Sequence, residues 1–165
     1  MKSLLIRRYF YFILASLTYL VVHEGMHILQ ALMWGVYKGI RILPLGIEVE
    51  IIQPLTIGGF KLAAFSGLSS VVTVSTGYLL LLFSSQMVKL KSQPLKNYVY
   101  YVTLVFLLLD PVYISLLSFV VGGDINGIVM GLGINYFTVR SIYFVIAVIN
   151  AFLVYKKLYP AYVKN

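Results

Sequence analysis

Four apolar segments dictate what this chain can become. They run over about residues 9–34, 62–83, 98–121 and 139–158, and each is close to the ~20 residues that carry an α-helix across a bilayer. Inside hydrocarbon every backbone N–H and C=O must find its partner within the protein, so a chain of such runs folds as a helix bundle. Only 11% of the 165 residues are charged, against roughly 25% in ordinary soluble domains. The expectation is an all-α polytopic membrane protein with about four transmembrane helices, a single membrane-embedded domain over residues 1–165. No cleaved signal peptide is expected, because the first apolar segment is long and lacks a clear cleavage site.

The formal net charge is +8, which invites a nucleic-acid reading. The cations instead cluster at the ends of the apolar segments, as topology signals do. Lys2, Arg7, Arg8, Lys89, Lys91, Lys96, Lys156, Lys157 and Lys164 make nine on one side; Lys38, Arg41, Lys61 and Arg140 make four on the other. That bias predicts a multi-pass protein of the cell membrane, both termini cytoplasmic, with the lipid bilayer and not nucleic acid as its surroundings. Cysteine is absent, which excludes disulfides, thiolate metal sites and cysteine nucleophiles.

Between the first two segments, Gly35, Gly39, Pro44, Gly46, Pro54, Gly58 and Gly59 break the chain up. Residues 41–43 and 47–52 lie between the breaks, the second alternating in polarity. They predict a short β-hairpin-like element near the membrane interface. The second apolar segment carries a stripe of small residues, Ala63, Ser66, Ser70, Thr73 and Gly77. Such stripes let membrane helices approach closely, and packing is the role expected of this one. The third contains Asp110-Pro111 and ends at Gly122-Gly123-Asp124-Ile125-Asn126-Gly127; proline and paired glycines can break a membrane helix and free backbone groups to line a cavity.

The first segment contains both histidines of the chain, in Val22-His23-Glu24-Gly25-Met26-His27-Ile28. Helix positions i and i+4 share a face, so both imidazoles can address one metal ion, and Glu24 can serve an attacking water as general base. Ser16, Tyr19, His23, His27, Gln30 and Trp34 follow helical steps and form one polar or amphipathic stripe. Ionisable groups in a membrane segment are expensive and mark function, so the stripe should face the bundle interior.

A catalytic zinc ion (Zn2+) takes three protein ligands and leaves a position for water. His23 and His27 supply two. The third must be an acid, and Glu48, Glu50, Asp110 and Asp124 are the candidates. Glu48 and Glu50 sit on an alternating strand that reads as a solvated face. Asp110 can be a ligand, a helix cap or a partner for a histidine. Asp124 lies in a flexible stretch between apolar segments and is the favoured ligand, although it can equally cap a short helix.

The His-Glu-x-x-His helix resembles that of the site-2 protease family of intramembrane zinc metalloproteases. Leu62-Ala63-Ala64-Phe65-Ser66-Gly67-Leu68 sits where that family's second, Ala-Gly-Pro-like signature falls, and Gly123-Asp124 where its Asp-Gly ligand falls. Residues 41–52 match its membrane-associated β element, and the likeness covers roughly residues 10–135. Here the second signature lacks proline, Asp124 precedes Ile125, and no PDZ domain is expected. The resemblance implies a compact zinc-dependent metalloendopeptidase that hydrolyses peptide bonds in or near the transmembrane segments of other membrane proteins. Glu24 would be catalytic, with His23, His27 and Asp124 on the metal. The same residues also suit a non-catalytic membrane metal-binding or metal-transport protein.

Overall fold

The computed structural model describes residues 2–43, 46–52 and 59–163. The first apolar segment forms α1, Lys2–Met33, which absorbs Gly25 without a break. It stops where Gly35 takes φ 67°. The Gly35 N–H bonds to Leu32 O at 3.1 Å, and the Val36 N–H reaches back to Ala31 O at 2.9 Å. A left-handed glycine allows this closure, which satisfies carbonyls the helix end would otherwise leave bare.

The chain then enters β1, Tyr37–Leu43, and β2, Gly46–Ile51, an antiparallel pair. The hairpin expected from the sequence is therefore present, with β1 beginning at Tyr37 rather than Arg41. Gly39 does not interrupt it. A register shift between Tyr37 and Gly39 absorbs the irregularity within the strand, as a bulge does. Side chains alternate along β2, so Glu48 and Glu50 share one face while Ile47 and Val49 take the other. Val49 is buried, and β2 leans on α1. Pro44, Gln53, Pro54 and Gly58 lie outside the described residues.

Helix α2, Phe60–Leu82, follows Gly59, whose φ is 110°. A short helix α3, Ser84–Met87, leads to α4, Gln93–Val112. Ser92 caps α4 by accepting from the Leu95 N–H, and Pro94 stands in the first turn, where a missing N–H does no harm. A π-helical turn, Tyr113–Leu117, joins α4 to α5, Ser118–Val121. Gly122 and Gly123 then turn the chain into α6, Asp124–Leu132. Asn135 caps α7, Tyr136–Leu153, with its side chain accepting the Thr138 N–H at 2.7 Å. A second π-helical turn, Val154–Leu158, leads to α8, Tyr159–Val163.

Four stretches among the described residues are long and apolar enough to cross a membrane: Leu5–Met33, Phe60–Leu82, Gln93–Val120 and Tyr136–Val163. With the single hairpin between the first two, this is the architecture of a multi-pass membrane protein. The third span is the most enclosed and the fourth the most exposed. Accordingly α4 packs against α1, α2 and α7. Phe106, with Ala15, Tyr19, Val102 and Val105, fills the α1–α4 seam, while Leu107 meets Leu81 and Leu158 on the other side.

The small stripe of α2 does what its composition predicts. Ala63, Ser66, Ser70, Thr73 and Gly77 are all buried. A Cβ on Gly131 would overlap Ala63, and one on Gly127 would overlap Ser66. The missing side chains let α6 lie directly on α2.

Pro111 lies inside α4. The helix runs through it instead of breaking. Proline lacks an N–H, so the carbonyl four residues earlier, Leu107 O, loses its helical donor. Asn150 of α7 supplies one: its Nδ2 donates to Leu107 O at 2.6 Å, while its Oδ1 accepts from the Tyr78 hydroxyl at 2.5 Å. Asn150 is fully buried, so the helix irregularity is repaired by side-chain amide chemistry from a neighbouring span.

Candidate metal centre

His23 and His27 lie one turn apart on α1, both 5% exposed. Their rings stand 5.1 Å apart. Asp124, the first residue of α6, reaches both: His23 Nε2 is 3.1 Å from Oδ2 and His27 Nε2 is 3.5 Å from Oδ1. The glycines explain how an acid 101 positions from His23 arrives there. Gly122 and Gly123 have φ of 69° and 84°, a region that side chains disfavour. Tyr113, on the π-helical turn, donates to Gly122 O at 2.9 Å and leaves no room for a Cβ on Gly123. The reversal that starts α6 is thereby pinned.

Behind His23 stands a second acid. Asp110 is fully buried on α4. Its Oδ1 accepts from the Tyr19 hydroxyl at 2.5 Å and lies 3.3 Å from His23 Nδ1. Its Oδ2 accepts from the Thr73 hydroxyl of α2. Tyr19 also lies 3.0 Å from His23 Nδ1. Because Tyr19 commits its one proton to Asp110, its oxygen can only accept from His23, so Nδ1 carries the hydrogen. The His23 Nε2 lone pair then points at a carboxylate oxygen. Two electron-rich atoms at 3.1 Å require a cation between them, either a proton or a metal ion.

The arrangement fits a metal ion. Ligand atoms about 2.05 Å from a tetrahedral centre lie ~3.3 Å from each other, and each histidine Nε2 stands at a comparable distance from one oxygen of Asp124, His23 at 3.1 Å from Oδ2 and His27 at 3.5 Å from Oδ1. One ligand atom from each of His23, His27 and Asp124 falls within 4.8 Å of the others. Two imidazoles and one carboxylate leave a fourth tetrahedral position open. The Tyr19–Asp110 pair fixes the ring and tautomer of His23, as the outer partner of a ligating histidine does. His27 has no such support, and its Nδ1 is buried without a hydrogen-bond partner among the described residues.

Of the four candidate acids, the structure brings Asp124 to the histidines and places Asp110 behind His23. Glu48 and Glu50 are engaged by cations of the hairpin. Glu48 accepts from Arg41 at 2.5 Å, and Glu50 pairs with Lys38 at 3.3 Å. Glu24 is partly buried beside the histidines, which with Asp124 are among its electrostatic neighbours. The expected stripe of α1 is buried at Tyr19, His23, His27 and Gln30. Ser16 instead bonds to its own backbone at Phe12 O, and Trp34 lies beyond the helix end. Thr73 was expected to serve packing alone, and its hold on Asp110 has no local signature beyond a hydroxyl in a stripe of small residues.

Fold and site together define a multi-pass membrane protein with a buried His-His-Asp group able to hold a metal ion. The chain matches no protein-family model, no curated protein and no solved structure.

Proposed function

We propose that this protein is a membrane-embedded zinc metalloendopeptidase of the site-2 protease type. It would cleave peptide bonds in or near the transmembrane segments of other membrane proteins. The observation that carries the reading is the convergence of His23 and His27, separated by the turn that holds Glu24, on Asp124 from a distant helix. Zinc, when bound, supplies a Lewis acid for the scissile carbonyl and for water. His23, His27 and Asp124 would hold it. Tyr19 and Asp110 keep the His23 Nδ1 proton in place, so that Nε2 stays a lone-pair donor. Glu24 takes a proton from the attacking water onto its carboxylate and delivers it to the leaving amine.

A helical substrate hides its carbonyls in its own hydrogen bonds and must unwind locally before attack. The β1–β2 hairpin beside α1 offers a strand edge that can hold an unwound segment by β-addition. The positive-side bias of Lys and Arg supports a cell-membrane protein with both termini in the cytoplasm.

The first experiment is elemental mass spectrometry of the detergent-purified protein, paired with Glu24→Gln. About one zinc per chain in both, with hydrolysis only in the wild type, supports the enzyme. Unchanged function in Glu24→Gln supports a metal-handling protein, which has no use for a base. Absence of metal even after zinc is added back makes the histidines structural and ends the proposal.

A further inference from the structure

Outside the metal group, Arg140 sits on α7, one turn past Tyr136, inside a span whose next charged residue is Lys156. Its Nε donates to Ser118 Oγ at 3.2 Å and its Nη2 to Ser118 O at 3.4 Å. The guanidinium lies 3.6 Å from the centre of the Phe119 ring and 5.5 Å from that of Tyr136. A guanidinium has five N–H donors, and these bonds use two of them.

Among the described residues this cation has no anionic partner. Asp110 and Asp124 are engaged at His23, Glu48 and Glu50 pair with Arg41 and Lys38, and Glu24 is on α1. No acid pairs with Arg140 among the described residues. Arg140 is half-buried, and a charge partly withdrawn from water is better off with a counter-charge.

Beside the guanidinium is a cavity of about 320 Å³, between the π-helical turn with α5 and the start of α7. Ser115, Phe119, Phe137, Ser141 and Phe144 line it together with Arg140. Phe119 and Phe137 are 68% and 80% exposed, so the cavity borders the outer, lipid-facing surface. Aromatic rings and a cation near the end of a span are the mark of the headgroup level of a bilayer.

We infer that Arg140 and this cavity bind the phosphodiester group of a membrane phospholipid. The free N–H groups of Arg140 match phosphate oxygens in a forked geometry that lysine cannot reproduce. Ser141 lines the same cavity. Phe119 and Phe137 meet the first methylenes of the acyl chains, a contact a free phosphate ion has no use for.

The test is native mass spectrometry of the full chain released from detergent. The probes are phosphatidylglycerol and a phosphate-free galactosyl diacylglycerol with the same acyl chains. Wild type should retain one phosphatidylglycerol under activation that strips the galactolipid. Arg140→Gln should reduce retention about tenfold or more, the loss expected when charged hydrogen bonds are removed. Arg140→Lys should fall between. Inorganic phosphate in large excess should not displace the lipid. Equal retention of both lipids by wild type, unchanged retention by Arg140→Gln, or displacement by inorganic phosphate would each overturn the assignment. The two-lipid comparison on wild type decides even if Arg140→Gln fails to fold.

Discussion

Replacing Asp110 with asparagine separates the charge behind His23 from the shape that carries it. Asparagine keeps the outline of a fully buried side chain but offers one acceptor oxygen where aspartate offers two. That oxygen can still take the Tyr19 proton. The new amide then faces Thr73, whose hydroxyl already reaches Ser69 O and Ser70 O at 3.1 Å each. Thr73 can accept one amide hydrogen and donate to those carbonyls, so both hydroxyl contacts survive. What disappears is the negative charge 3.3 Å from His23 Nδ1.

Losing an outer partner of a ligating histidine weakens metal affinity roughly 10–100-fold, or about 1.4–2.7 kcal/mol. Since the hydrogen bonds survive, Asp110→Asn belongs near tenfold. Asp110→Ala also empties both hydroxyl contacts and belongs near a hundredfold. Asp124→Ala removes a ligand and should exceed both. The assay is zinc competition against a chromophoric chelator in detergent, with thermal unfolding of the metal-free proteins alongside. Unchanged affinity in Asp110→Asn would mean that Asp110 merely joins α1, α2 and α4. A loss as large as that of Asp124→Ala would make Asp110 a ligand. Either result refutes the reasoning.

Glu24→Gln should keep about one zinc per chain and lose hydrolysis, read by elemental analysis beside a cleavage assay. Val49→Pro, which removes a donor from β2, should slow cleavage and leave zinc content unchanged; an unaltered rate would dismiss substrate addition at the hairpin. Asn150→Ala should lower stability by about 1–3 kcal/mol in a denaturation series, because Leu107 O is left buried without a donor. Gly131→Val should cost about 1–3 kcal/mol by forcing α6 off α2. Because α6 begins at Asp124, the same change should weaken zinc binding, which the chelator competition reads.

The parts of this molecule that depend on local pattern were legible in its sequence. Apolar length gave the four spans, glycine and proline spacing gave the hairpin, and small-residue periodicity gave the buried face of α2. His23 and His27 share a face because four residues make about one helical turn. The roles of the acids could not be read in the same way. Asp110 and Asp124 differ in what surrounds them in space: one lies between Tyr19 and Thr73, the other at a glycine reversal pinned by Tyr113. Sequence spacing carries none of those distances. Pro111 is a related case. The rule that proline breaks a helix counts only the bonds a helix can make for itself, and the missing donor came from Asn150, 43 positions from Leu107.

Pro111 and Asn150 therefore constrain how this chain can drift. With Pro111 present, any residue at 150 that cannot donate strands a carbonyl in the middle of the bundle. With an ordinary residue at 111, helix α4 would satisfy Leu107 O itself, and the Asn150 amide would become the stranded group. Each substitution is harmful alone, and the pair together is far milder, so their effects on fitness depend on order. In any lineage that carries this chain, the two positions should be replaced together or not at all.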